Sequence, residues 1–256
     1  MLTTVNTLKG YTLDSLDGEM GKVEEFYFDD RYWAIRYLIA NTGSWLSGRQ
    51  VLISPYALGT SSAVERDITV TLTRAQIEDG PALDSAVPVS RQYEEEYYGH
   101  YGWPLYWGGS AMWGASGAIL RDHGQQRDAT GELQPWDAHL RSTRDVTGHH
   151  IQAPDGEIGH VEDFIVDDET WAIRYLVVNT ENWWPGRKVL IAPQWIDRVS
   201  WAEGKVFVGL MREHIRNSPE FKSKELLTRD YELGLHRHYS RDGYWLDEPA
   251  ASGRSR

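Results

Sequence analysis

The sequence predicts a mainly β protein: two tandem, small antiparallel β-barrels with short closing helices. Three observations predict it. Residues 2–107 align with residues 140–245 at a constant offset of 138, and 24 of the 39 positions from Asp17 to Pro55 are identical to those from Asp155 to Pro193. Self-similarity on that scale marks one module duplicated and fused. Within each copy the apolar runs are short and separated by turn residues, as in all-β folds. The connections are too short for the crossover helices of a parallel sheet, which leaves hairpins and closure into a small barrel.

Taken in order, Asp17-Gly18 and Asp155-Gly156 are turn dipeptides before the strands Val23–Phe28 and Val161–Val166. Asp29-Asp30 and Asp167-Asp168 mark the next turn. Trp33–Ile39 and Trp171–Val177 follow, apolar on both faces except for Arg36 and Arg174. Such a run suits a central strand covered on both sides. Val51–Ile53 and Val189–Ile191 are brief buried strands stopped by Pro55 and Pro193. Ile68, Val70 and Leu72 alternate, as do Val206, Val208 and Leu210, so each trio shares one face of a strand. Thr73, Ser90 and Thr228 are N-cap residues for short helices over Arg74–Glu78, Arg91–Tyr98 and Arg229–His238. The domains are therefore 1–107 and 140–245. A Gly-rich linker, 108–139, joins them, and 246–256 is expected to be a disordered tail.

Composition narrows the function classes. The 256 residues carry a net charge of −12, with 8 basic and 15 acidic groups in the first copy and 14 and 17 in the second. Neither copy has the basic excess of a nucleic-acid binder or of a protein docking on anionic lipid by charge. The absence of cysteine removes disulfides, thiolate metal sites and cysteine nucleophiles. No signal peptide is expected from Met1–Val5, and no apolar run reaches the length of a membrane span. The expected location is the cytoplasm.

The stretch Asp17-Gly18-Glu19-Met20-Gly21-Lys22-Val23-Glu24-Glu25-Phe26, followed by Tyr37-Leu38-Ile39 and Val51-Leu52-Ile53-Ser54-Pro55, resembles the PRC-barrel family. The second copy repeats it from Asp155 to Phe164, at Tyr175–Val178 and from Val189 to Pro193. The family includes the cytoplasmic barrel of the photosynthetic reaction centre H subunit and a domain of a ribosome maturation factor. The chain lacks the membrane helix of the former and the N-terminal domain of the latter, and looks most like tandem stand-alone bacterial members. The resemblance implies an interaction module, since the family has no shared catalytic residues.

Candidate site residues follow. Trp45 and Trp183, with Trp184 beside the latter, lie in equivalent loops, and a loop tryptophan is an interface anchor or a cap on its own barrel. Arg49 and Arg187 follow glycines in the same loops and read as exposed interaction residues. Arg36 and Arg174 lie mid-strand and need ion partners, which the adjacent strand offers as Glu24 or Glu25 and Glu162 or Asp163. Seven of the nine histidines lie from His139 onward. Of these, His149, His150 and His160 are weak metal candidates without a ligand spacing. The aromatic stretch Tyr93–Trp107 packs a terminal helix or stacks on a ligand. No phosphate loop, serine elbow or zinc helix occurs.

The expectation is a non-enzymatic adaptor without cofactor, docking on a protein partner and reaching a membrane only through it. The alternative is a small-ligand or metal-binding regulatory module. Duplication often internalises a homodimer interface, so the two copies are expected to touch.

Overall fold

The computed structural model describes residues 1–81, 89–105, 139–180, 187–222 and 227–246. The first copy contains β1 (Leu2–Thr4), α1 (Val5–Leu8), β2 (Thr12–Ser15), β3 (Gly18–Asp29), β4 (Ala34–Asn41), β5 (Gln50–Ile53), β6 (Leu58–Ser62), β7 (Asp67–Val70), α2 (Arg74–Glu78) and α3 (Arg91–Tyr101). The second follows the same order: β8 (Leu140–Ser142), α4 (Thr143–Val146), β9 (His150–Ala153), β10 (Gly156–Asp167), β11 (Ile173–Asn179), β12 (Lys188–Ile191), β13 (Ile196–Ser200), β14 (Lys205–Val208), α5 (Arg212–Arg216) and α6 (Arg229–His238). No described helix is long and apolar enough to cross a membrane.

The chain is mainly β, as expected, but the sheets are mixed and open. One runs β5-β4-β3-β2-β7-β6, the other β12-β11-β10-β9-β14-β13. Among the described residues β5 and β6 are the ends of the first, and β12 and β13 the ends of the second. The expected all-antiparallel pairing is corrected at one ladder per sheet, because β2 pairs with β7 and β9 with β14 in parallel. The chain between β2 and β7 is itself four strands and a 3-10 turn, so sheet structure replaces the crossover helix usual for a parallel pair.

Each sheet takes its seventh strand from the other copy. β1 pairs with β10, with Leu2 opposite Asp167 and Thr4 opposite Ile165. In return β8 pairs with β3, with Leu140 opposite Asp29 and Ser142 opposite Tyr27. The copies thus touch by reciprocal exchange of their first strands, in the manner of a pseudo-two-fold rather than a simple translation. Sequence boundaries at 107 and 140 separate segments that the fold interleaves.

The pseudo-axis passes between Ala34 and Ala172, which form an antiparallel bridge. Ile35 N donates to Trp171 O at 2.8 Å, and Ile173 N to Trp33 O at 2.7 Å. Both tryptophans have left-handed backbones, with φ of 51° and 56°, an outlying conformation for a bulky residue. It is held by a one-turn closure on each side, Trp33 N to Asp29 O and Trp171 N to Asp167 O. The cost of that backbone is met by two crossing bonds and by ring burial. Phe26 stacks on Trp171 across the junction with centroids 6.1 Å apart, and Phe28 meets Phe164 at 5.7 Å. One apolar cluster therefore runs through both copies. Full burial of each large side chain contributes about 1.5–3 kcal/mol. A smaller cluster, with Tyr37, Ile39 and Leu52, lies under α3.

Local rules explain the elements. Thr73 caps α2 with a full capping box to Gln76, and Ser90 and Thr228 cap α3 and α6 through their side chains. Asp17 Oδ1 accepts from Arg74 N at 2.8 Å and Asp155 Oδ1 from Arg212 N at 3.0 Å, so the turn aspartates fasten α2 and α5. Gly21 and Gly159 allow β3 and β10 to press on the following strand. A Cβ there would stand 2.2 and 1.9 Å from the carbonyl oxygens of Asn41 and Asn179.

Strand exchange predicts that the covalent link between the copies is not what holds them together. If a protease site is inserted within 108–138 and cut, the two fragments should elute as one species in size-exclusion chromatography. Separation into two folded monomers would contradict the exchanged arrangement.

Candidate functional site

A concave surface lies on the first copy, where the start of β3 meets the loop after β4. It is a groove of about 600 Å³ lined by Glu19–Glu24 and Asn41–Trp45. Its floor exists because Gly21 lets the strands approach. Its rim is Trp45, half-buried against the core. The Arg74 guanidinium lies 4.6 Å from the Trp45 ring centroid, and Trp45 N donates to Thr42 O at 3.3 Å. Trp45 therefore both covers its own unit and borders an open surface. Its equivalents Trp183 and Trp184 lie outside the described residues.

Arg49 and Arg187, expected to be exposed interaction residues, are turned inward to backbone instead. Arg49 Nη2 donates to Gly80 O at 3.0 Å, and Arg187 donates to Arg216 O at 3.0 Å and to Ser218 O. Gly80 and Ser218 are equivalent positions just past α2 and α5. Each guanidinium thus serves carbonyls that a helix end leaves open and ties the Trp loop to that helix.

Arg36 and Arg174 are buried and paired, as their position demanded, but not with the expected partners. Arg36 contacts Asp29 Oδ2 at 3.1 Å and Glu94 of α3, while Arg174 contacts Asp167 Oδ2 at 3.1 Å. Glu24 instead faces Arg144 at 3.5 Å, and Glu162 meets Lys188 and, at 2.9 Å, Asn179 Nδ2. Asp29 and Asp167 sit at the far ends of β3 and β10, where the hairpin folds back over the arginine. Burial opposes ionisation of Asp167, but bonds from Glu169 N–H and Arg174 hold its pKa below the usual value.

The residues that sequence reasoning missed are Glu94 and Glu232. They are equivalent, 0 % and 2 % exposed, and placed one turn into α3 and α6. Glu94 accepts from Tyr37 Oη at 2.9 Å, and Glu232 from Tyr175 Oη at 2.9 Å and Tyr244 Oη at 3.0 Å. Their signal was a glutamate at the same offset of 138 as every other retained residue. Burial, then the glutamate charge, raises the pKa of Tyr37 and Tyr175 well above the phenolic norm. Burial raises Glu232 despite its hydrogen bonds.

His236 completes the second cluster. Its Nδ1 lies 2.9 Å from the Asp242 carbonyl and Nε2 3.0 Å from Tyr175 Oη. A carbonyl only accepts, so Nδ1 carries the proton, and burial lowers the ring's pKa. Tyr175 has one hydroxyl proton, for which Glu232 and Nε2 compete. The equivalent of His236 is Tyr98, also buried. Tyr97, Tyr98 and Trp103 pack onto Tyr37 and Tyr56, and Tyr93 and Tyr101 pack in turn on Tyr97. Those members of the aromatic stretch therefore attach α3 to the sheet, while Tyr106 and Trp107 lie outside the described residues.

The three candidate histidines do not form a ligand set. His149 faces Trp201 at 5.8 Å, His150 contacts Glu157 at 3.0 Å, and His160 is opposite His150 in the ladder. Among the described residues no three His, Asp or Glu side chains converge as a metal site.

The junction carries one more titratable group. Asp163 is 8 % exposed and accepts from Asn6 N of the other copy at 3.2 Å and from Phe164 N at 2.8 Å. Desolvation raises its pKa to about 6, with Thr4 and Lys9 opposing the rise. Its equivalent, Glu25, faces Arg144 at 3.2 Å and Ser142.

No family model and no curated protein matches the chain.

Two outcomes follow. Arg36→Met leaves two buried carboxylates without their cation and should cost about 3–5 kcal/mol in urea unfolding, part of it recovered on adding Glu94→Gln. An unaltered midpoint would contradict the buried pair. For Asp163 the folded pKa lies above the unfolded one, so its ionisation opposes folding once pH rises through roughly 4 to 6. Asp163→Asn should therefore stabilise the protein at pH 7.5 by up to about 3 kcal/mol more than at pH 4. A wild-type-minus-variant difference that is flat in pH would refute this assignment.

Proposed function

We propose that the chain is a non-enzymatic interaction module, an adaptor that docks a protein partner in the groove beside Trp45. One observation carries this reading: the densest clusters of charged and phenolic side chains are sealed inside. Arg36, Glu94, Tyr37, Arg174, Glu232 and Tyr175 are buried between sheet and helix, out of reach of a substrate. What faces outward at the groove is a shallow, mixed surface with an aromatic rim. Catalysis needs an accessible base, nucleophile or charge stabiliser, whereas docking needs an anchor and a complementary rim.

Charge narrows the partner. The groove sets Glu19 and Glu24 against Lys22, on a copy whose own balance is −7. It favours a partner segment with apolar and basic side chains. Reading each unit as a PRC-barrel-like barrel supports the same conclusion, since that family's members associate through these modules. Likeness to the reaction centre H subunit points to a membrane-bound complex approached from the cytoplasm.

Trp45→Ala combined with Trp183→Ala should abolish capture of the protein partner from the host's own extract. The melting temperature should fall by no more than about 4 °C, the shift that about 1 kcal/mol produces in a protein of this size. Unchanged capture, or collapse of the fold, would dismiss the loop tryptophans as docking residues.

A further inference from the structure

The pseudo-two-fold relates two sides of the junction where the copies meet, and their residues differ. On one side Asp30, Arg31 and Trp33 of the first copy face His139, Arg141 and β13 of the second across a cleft of about 500 Å³. Arg198 and Trp201, from β13 and the turn after it, line the same cleft. Asp30 orients two of these side chains: its carboxylate lies 2.6 Å from His139 Nδ1 and 2.9 Å from Arg141 Nε. Arg141 stacks over Trp201 at 4.6 Å, and Arg198, itself exposed, lies over Phe207 at 3.5 Å. Asp197 is the other acidic residue of the lining. Three arginines and a histidine thus gather against two aspartates in a chain of net charge −12.

The opposite side shows what the module itself requires. Arg31 is replaced there by Glu169, Arg141 by Thr3, Arg198 by Thr60, His139 by Met1 and Trp201 by Ala63. Asp168, the equivalent of Asp30, accepts from the Met1 ammonium and from Ser61 Oγ. The junction there holds its aspartate with one ammonium and no arginine, so three guanidinium groups on the other side exceed what strand exchange requires. Guanidinium forks on a scaffold that another charge holds in place are suited to oxyanions. The cleft volume is that of a small-molecule site.

We infer that this cleft binds a small, multiply charged organic anion, a phosphate ester or a polycarboxylate, held by Arg31, Arg141 and Arg198. The inference is independent of docking at Trp45. The full chain would be titrated calorimetrically, at low salt, with pyrophosphate and separately with citrate. The expected result is saturable binding at one site per chain, with pyrophosphate the tighter ligand for a phosphate site and citrate for a carboxylate site. Arg31→Glu with Arg198→Thr installs the residues that the opposite side already carries. This variant should bind about tenfold or more weakly, as loss of charge-assisted bonds implies, at an unchanged melting temperature. Should the pair fail to fold, the exposed Arg198→Thr alone should show a weaker form of the same loss. No saturable heat with either anion, or equal affinity in a folded variant, would overturn the inference.

Discussion

The last residues of β3 and β10 cannot be satisfied by their own copies, and the architecture depends on that. Each of these strands is twelve residues long. β4 and β11 line one edge along most of that length, but on the other edge β2 reaches only from Gly18 to Lys22 and β9 only from Gly156 to His160. Beyond Val23 and Val161, whose backbones are met by the loops at Gly10-Tyr11 and Gly148-His149, the edge would carry open donors and acceptors over an apolar core. Such an edge is costly when buried and prone to aggregation when exposed. β8 and β1 close it from the opposite copy. The pairing is mutual, so neither copy can complete its sheet without completing the other's. The shared aromatic core and the left-handed tryptophans at the axis follow from the approach this pairing enforces.

The helices are placed by a second constraint, the buried arginine. Arg36 and Arg174 occupy central strands and need compensation there. Asp29 or Asp167, seven residues earlier, supplies one carboxylate to each. In the first copy the second carboxylate comes from α3, which is thereby pinned to the sheet by Glu94, with Tyr37 adding a hydrogen bond to the same oxygen. In the second copy Glu232 takes its cation from Arg229 on its own helix, and Tyr244 stacks under Arg174 at 3.9 Å. The same requirement is met by different partners. Buried ion pairs add little net stability over apolar packing but punish misregistration, so their contribution here is to the seating of the helix.

What was legible in the sequence was whatever depends on near neighbours. Apolar runs located β4 and β11, the alternating trios located β7 and β14, and Thr73, Ser90 and Thr228 marked helix starts to the residue. What was not legible depends on distant pairings. Leu2-Thr3-Thr4 and Leu140-Arg141-Ser142 are too short and too polar to announce a strand, and their partners lie far along the chain, Leu2 opposite Asp167 and Leu140 opposite Asp29. Arg36 looked to the adjacent strand for glutamate. The hairpin bend at Asp29 and a helix 58 residues on won instead, because they reach the buried side of the strand while Glu24 stays near the junction surface with Arg144. Arg49 and Arg187 read as exposed because a glycine precedes each. A carbonyl past a helix end, 31 residues downstream, was invisible to any local rule.

The duplicated chain separates structural from other demands more sharply than one copy could. The pairs kept in both copies include Gly21 with Gly159, Asp17 with Asp155, Arg36 with Arg174, Arg49 with Arg187 and Glu94 with Glu232. Each has a role inside the fold: close strand approach, helix fastening, ion compensation or loop anchoring. Retention between the copies is therefore mostly a record of folding physics, and Trp45 shares in it, since its ring also covers the unit's own core. Divergence carries the other message. Arg31, Arg141, Arg198 and Trp201 gather at one face of the junction, while Glu169, Thr3, Thr60 and Ala63 occupy the matching places on the other. Each side of the junction is built from both copies, with their roles exchanged. Fusing the copies frees each from the other's symmetry, so one side can gather arginines while the matching side carries none.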